Sequence, residues 1–309
     1  VSVESYGDLD VLCVGHASFD LTMLMDHHPA ADEKCFATDM ISCGGGPAAN
    51  AAVTVVRLGG QSALAAYLGE DFFGSRHVAE LVDEGVRTDW IVRGSQPTPL
   101  SVILVKPNGN RSVINFKGAT PPVEEIPFDP ARMNPKAVLF DGHEPLISIS
   151  VAREALARNI PTILDAGSVH KGTVDLLPLT RYLITSTRFS RDFTGESDPF
   201  RALERLSCHA PCTVITLGEK GLVWKREQEK GHVPAFTVDV VDTTGAGDAF
   251  HGAFALGVAR GMDFLSNLKV SAAAAALCCT RAGARLAIPT RREVDALIDS
   301  QATRVWKER

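Results

Sequence analysis

Four short stretches of this chain combine residue types that could do chemistry. The richest is Asp242-Thr243-Thr244-Gly245-Ala246-Gly247-Asp248-Ala249-Phe250. It follows a strand-like run, Phe236 to Val241, and opens the apolar segment Ala249 to Val258. Two glycines around one small residue let the backbone turn tightly and approach a ligand. The first N–H groups of the following helix lack partners, and the helix dipole favours an anion there. A carboxylate at Asp248, inside that field, makes chemical sense as a base beside a bound phosphate. As plain structure, the same residues read as a glycine-rich strand-to-helix turn with an acidic first turn.

The other three stretches are individually weaker. Gly44-Gly45-Gly46-Pro47-Ala48-Ala49-Asn50 leads into a helix, and Asn50 offers a donor and an acceptor to hydroxyls. Gly15-His16-Ala17-Ser18-Phe19-Asp20 lies just past the first strand, outside the carboxyl end where α/β sheets bind ligands. Asp20 could accept two hydroxyl hydrogen bonds from a polyol, or serve only as a turn residue. Thr216-Leu217-Gly218-Glu219-Lys220-Gly221 is a glycine-spaced turn that either cradles nucleotide phosphates or starts a hairpin.

Short apolar runs must position these stretches. Val11–Val14, Ser62–Ala66, Ala137–Asp141, Thr162–Asp165, Tyr182–Thr185 and Cys212–Thr216 read as strands. Pro47–Leu58, Gly74–Glu84, Ile147–Arg158, Ala249–Arg260, Asp263–Cys279 and Arg291–Ser300 read as helices. The alternation predicts an α/β fold, with a central, mostly parallel sheet covered by helices on both faces. Two segments, about 21–43 and 98–118, break the alternation with extended patterns. In the second, Pro107-Asn108-Gly109-Asn110 between Ser101–Val105 and Arg111–Asn115 signals a hairpin. These strands are expected to form a small separate β-sheet, a lid over one edge. No repeat or linker divides residues 1–309, so a single domain with the lid inserted is expected.

The chain has 309 residues, 45% of them hydrophobic, with a formal net charge of −6. That balance argues against a nucleic-acid partner, which requires basic faces. No run is long and apolar enough to span a membrane, so no membrane partner is expected. Seven cysteines, several in apolar runs, fit buried free thiols in a reducing, cytoplasmic compartment. Cys208-His209-Ala210-Pro211-Cys212 lacks a second pair at zinc-site spacing. There is no GxxxxGK[ST] loop and no strand-bound dinucleotide fingerprint.

Taken in order, a strand followed by Asp20, the GG…AN helix start, a lid hairpin and a late DTTGAGD–helix resemble the ribokinase-like (PfkB) carbohydrate kinase family. The resemblance covers nearly the whole chain, and Gly45–Gly59 and Val238–Gly252 are its most specific stretches. Within the family, Val238–Gly252 and the later Cys279-Thr280-Arg281-Ala282-Gly283-Ala284-Arg285 look closest to sulfofructose kinases, with ketohexokinases near.

The resemblance implies ATP-dependent phosphorylation of a ketose or pentose hydroxyl. Asp248 would be the general base, and Gly245, Ala246 and Gly247 the anion hole. It implies substrate contacts at Asp20, Gly45, Gly46, Asn50, Asn115 and His143, with nucleotide contacts at Thr216, Gly218 and Gly221; Arg188, which the family pattern does not supply, is a candidate for positive charge at the phosphates. Asp242 and Thr244 match positions that bind a monovalent cation, K⁺, in some members. ATP with Mg²⁺ and a homodimer formed through the lid are implied as well. Three departures stand out. The Mg²⁺-organising NxxE motif of many members reads Ser186-Thr187-Arg188-Phe189. An adenine-pocket Asn of ribokinases is Ala272. His143 stands where sulfofructose kinases carry a sulfonate-binding Arg. The open alternatives are a nucleoside kinase, with Phe19 or Phe116 stacking on a base, and a non-catalytic sugar or nucleotide sensor.

Overall fold

A computed structural model describes residues 9–301 except 119, 126, 128 and 133. The expected domain span of 1–309 therefore includes termini that lie outside the described residues. In chain order the strands are β1 (Leu9–Val14), β2 (Ser18–Leu24), β3 (Asp39–Gly45), β4 (Ser62–Gly69), β5 (Ile91–Gly94), β6 (Leu100–Val105), β7 (Arg111–Phe116), β8 (Pro135–Phe140), β9 (Thr162–Ala166), β10 (Tyr182–Ser186), β11 (Cys212–Thr216), β12 (Leu222–Arg226) and β13 (Glu229–Val233). The helices are α1 (Pro47–Arg57), α2 (Phe72–Asp83), α3 (Pro145–Ala157), α4 (Lys171–Leu176), α5 (Thr187–Thr194), α6 (Pro199–Leu206), α7 (Ala246–Ala259), α8 (Phe264–Cys278), α9 (Ala284–Ala287) and α10 (Arg291–Ser300).

Nine strands form the main sheet in the order β13-β12-β11-β10-β9-β8-β1-β4-β5. All neighbours from β11 to β5 pair in parallel, and β12 and β13 add an antiparallel edge. The expected α/β fold with a mostly parallel sheet is what the chain adopts. Every residue of β1 and β4 is buried, the signature of strands covered on both faces. The chain leaves β1 toward β4 on one side, while β8, β9 and β10 extend the sheet on the other. The turns after β1 and β8 thus meet at a switch point, where a crevice opens beyond the carboxyl ends.

The second sheet has four strands in the order β3-β2-β6-β7. Its strands reach further than the expected 21–43 segment: β2 starts at Ser18 and β3 runs to Gly45, with Ser18 opposite Gly45. Asp20 therefore sits inside a lid strand rather than in the turn after β1. The β2–β6 pair is parallel, so the lid is a joint product of two segments far apart in sequence. Asp71, the N-cap of α2, fastens it to the core by accepting from Thr98 N at 2.8 Å and Thr98 Oγ1 at 2.7 Å.

One sequence expectation needs correction. Phe236–Val241 reads as a strand but pairs with neither sheet. Its polar groups are met instead by Gln301, on both sides of Thr237, and by the Cys279 carbonyl, which accepts from Val241 N at 2.8 Å. The Thr216–Gly221 turn does open a hairpin, since β11 and β12 pair antiparallel around it. A side chain at Gly221 would overlap the Val233 carbonyl, which accounts for that glycine structurally.

The core helix α7 is apolar nearly all round and lies against α1 and α8. A Cβ at Gly252 would stand 2.5 Å from the Ala51 carbonyl oxygen, so small residues set how closely α7 approaches α1. Ala273 and Ala274 of α8 are fully buried, consistent with close packing. Among the described residues, no helix is long and apolar enough to cross a membrane. All seven cysteines are free thiols, and burial pushes the Cys43 thiol up to about 11 and Cys212 to about 12.

Candidate active site

The three consecutive glycines before α1 each answer a different neighbour. A Cβ at Gly44 would overlap the His77 ring, and one at Gly45 would overlap the Asp20 carboxylate. Gly46, at φ 94°, is the N-cap of α1 and passes close to the His16 carbonyl. Gly44 and Gly45 make room for side chains of the protein itself and Gly46 for its backbone, a reason that sequence reading, which sought only ligand approach, did not supply. Pro47 then occupies the first turn of α1 and places Asn50 one turn in.

From α1, Asn50 donates through Nδ2 to Asp248 Oδ2 at 2.8 Å. Asp248 lies in the first turn of α7, behind the N-cap Gly245 at φ 82°. A Cβ at Gly245 would be 2.8 Å from Ala284 Cβ, whereas one at Gly247 would meet nothing within 4 Å. The loop is thus packed on one side and open on the other. Among the described residues, the N–H groups of Gly245, Gly247 and Asp248 have no acceptor, as expected for a helix start that can bind an anion.

The Asp248 residue keeps access to solvent, but its carboxyl is recessed. Removal from water is the largest influence and raises its pKa, against the hydrogen bond from Asn50. Asp20 is 5% exposed and accepts from Ser18 Oγ at 3.0 Å. Burial pushes its pKa up to about 6, against hydrogen bonds from Ser18 and Ser101.

Both carboxylates line one cavity of about 370 Å³ between lid and core. Gly46, Asn50, Asn115, His143, Thr244 and Gly245 line it too, so most expected substrate contacts converge here. Gly45 instead backs Asp20 from behind. Sequence reading missed His16, Ser101, Arg111 and Lys117, which share this lining. Arg111 stands at the start of β7 and donates to Thr243 Oγ1, bringing lid and anion-hole loop into contact. Its only sequence signal is its place directly after the Asn-Gly turn. Burial pushes the His16 imidazole down to about 4, so it is neutral. His143 stacks on His170 with ring centroids 4.7 Å apart. Phe19 is 1% exposed and packs against Phe73, while Phe116 lines the cavity. A larger cavity, about 430 Å³, lies beside Arg76, Glu80 and Glu84 and contains neither Asp20 nor Asp248.

The remaining expected residues lie elsewhere. Asp242 is buried and accepts from Thr244 N at 2.9 Å, Thr244 Oγ1 at 2.7 Å and Gly283 N at 3.0 Å. These three bonds lock the loop that presents Gly245 and occupy about three of the carboxylate's roughly four lone-pair sites. Thr216 ends β11 at the carboxyl edge, and Gly218, in the turn that follows, faces open space. Arg188 is exposed on α5, pairs with Asp192 at 3.6 Å and does not line the cavity. Ser186 caps α5 by accepting from Phe189 N at 3.0 Å and donates to the Gly167 carbonyl; Phe189 is fully buried. The substituted NxxE segment therefore offers a Mg²⁺ ion no carboxylate.

A family model of the pfkB carbohydrate kinases matches residues 8–291. The chain belongs to this family. Similar pfkB proteins include the ribokinase of Bacillus subtilis, 28% identical over 94% of this chain and 99% of that one. The fructokinase of Solanum tuberosum is also 28% identical, over 91% and 94% of the two chains. Among solved structures, Arabidopsis thaliana ribokinase complexed with ribose and ATP superposes with a TM-score of 0.82. It is 27% identical and covers 94% of this chain and 99% of that one. The chain is thus a pfkB-family sugar kinase, and the expected kinase class stands.

Proposed function

We propose that the protein transfers the γ-phosphoryl group of ATP to a hydroxyl of a ketose or pentose, with Asp248 as general base. One observation carries the reading: Asp20 and Asp248 face a single cavity beside a helix start with free N–H groups. Asp20 and Asn115 bind and orient the sugar. Asp248 takes the proton of the attacking hydroxyl as the sugar oxygen bonds to the γ-phosphorus. The bond to the bridging oxygen breaks, and ADP leaves. The N–H groups of Gly245, Gly247 and Asp248 meet the charge on the transferring group, where fixed dipoles act most strongly. Thr216, Gly218 and Gly221 belong to the nucleotide side, and Arg188 adds positive charge at its edge. Mg²⁺ enters with ATP as part of that substrate. A K⁺ ion at Asp242 and Thr244 would add positive charge behind the anion hole.

Incubation with ATP, Mg²⁺ and a panel of ketoses, pentoses and nucleosides tests this. A phosphorylated ketose or pentose is expected. Product from a nucleoside alone would favour the second reading, in which Phe116 stacks on a base. Ligand binding without ADP formation from any acceptor would make the protein a sensor.

Acidity provides a further check. Asp248 works only as a carboxylate, and its folded pKa lies above the ordinary range, as does that of Asp20 at about 6. Falling pH therefore protonates both early. The rate profile kcat/KM should decline below about pH 6 and recover as pH rises; a profile flat down to pH 4.5 would contradict the assigned groups.

We also propose pairing of two copies through the lid. The edge strand β7 exposes Val113, Ile114 and Phe116, and Met40 is exposed on β3 of the same sheet. A soluble chain with such an edge gains by covering it. The cytoplasm, with its reducing thiol balance, is the compartment that suits seven free cysteines.

A further inference from the structure

Arg285, on the short helix α9, is 2% exposed, yet among the described residues no carboxylate lies within ion-pair distance of its guanidinium. A buried charge in that state is costly, and chains retain one where it performs a task. Its contacts indicate the task. Nε donates to Asn50 Oδ1 at 3.0 Å, and Nη2 meets His77 Nε2 at 3.1 Å. A guanidinium has donors only, so Asn50 must turn its oxygen toward Arg285. The amide NH₂ is then forced toward Asp248 Oδ2, where the 2.8 Å bond is found. By the same logic His77 accepts at Nε2, which requires a neutral ring. Burial and the nearby guanidinium both push its pKa well down.

The backbone around Arg285 is itself held. Arg57, in the last turn of α1, donates to the carbonyls of Arg285 at 3.2 Å and Ile288 at 2.8 Å, while pairing with Glu84. Gly44 leaves the space that His77 fills. A rigid chain thus runs from α2 through His77, Arg285 and Asn50 to the carboxylate on α7.

We infer that Arg285 is a positioning residue for phosphoryl transfer: it fixes the Asn50 amide so that one Asp248 oxygen is held and the other is left to the sugar hydroxyl. This rests on the reading of Asp248 as base. Arg285 touches no substrate and acts only through Asn50. It also places a positive charge near Asp20, whose pKa it lowers.

A double-mutant cycle tests the inference, with D-ribose and D-fructose as probes in the presence of ATP and Mg²⁺. Arg285→Gln should lower kcat by about 10²-fold, the scale of a misplaced catalytic group, and leave calorimetric ATP affinity within about twofold. Asn50→Ala should lose a similar factor, and the double variant should be no worse than the poorer single, because both remove one connection. Losses that multiply would overturn the inference, as would wild-type kcat in Arg285→Gln. A general packing defect would instead weaken ATP binding and add to the Asn50 change. If Arg285→Gln is recovered only as aggregate, Arg285→Lys, which keeps the charge and one donor, carries the same cycle with a smaller loss. Asp248→Asn serves as control: normal turnover there removes the base reading itself, whereas an inert Asp248→Asn beside a normal Arg285→Gln removes only the positioning role.

Discussion

Asp248→Asn is expected to abolish measurable turnover, lowering kcat by about 10³-fold or more, while ATP still binds. Among the described residues, Asp248 supplies the only carboxylate that both lines the cavity and sits in the first turn of α7, beside its N–H groups. General-base removal costs about 10²–10⁴-fold, and an amide cannot take up the proton. The substitution is nearly isosteric, and the new carbonyl can still accept from Asn50 Nδ2. It also removes a recessed charge whose pKa burial has raised, so the inactive variant should melt no lower than the parent. Steady-state kinetics, calorimetry with ATP and a thermal melt check all three statements. Turnover near the parental rate would end the base assignment.

Gly45→Ala should be nearly as damaging through a different route. The added methyl would overlap the Asp20 carboxylate, which β2 holds opposite β3. Either Asp20 swings out of the cavity or the two lid strands part. The sugar KM is expected to rise about 10²-fold or more, with ATP affinity intact, because the proposed nucleotide contacts at Thr216, Gly218 and Gly221 lie at and just after the end of β11 in the other sheet. An unchanged sugar KM would mean that Asp20 does not bind the acceptor. The loss at Gly45 belongs to ground-state binding and that at Asp248 to the chemical step, so kcat and KM separate the two roles.

The parallel core was legible because fully buried strands are continuous apolar runs; Cys212–Thr216 and Arg291–Ser300 have the bounds their patterns predict. The hairpin was legible because Asn108-Gly109 demands one turn geometry. Less visible was Phe236–Val241, whose alternation imitates a strand but whose backbone partners come from a helix end and Gln301. The β12–β13 hairpin and the short helices α5 and α6 escaped because charged residues break their apolar pattern. At the site, Asp20, Asn50 and Asp248 stood out as polar residues beside glycine-rich turns. Arg285 and His77 did not, because nothing local marks an arginine or a histidine as buried. Their role depends on residues more than 200 positions apart meeting in space.

The proposed base and anion hole belong to α7, which packs on β1 and β8 of the main sheet, whereas Asp20, Ser101 and Asn115 ride on a second sheet with its own pairing. Under the proposed function, reactivity and choice of acceptor are therefore written in separate, separately editable layers. A few substitutions at an edge strand can retune which polyol is accepted and leave the phosphoryl-transfer apparatus untouched. One scaffold can thereby supply a cell with many distinct sugar phosphates.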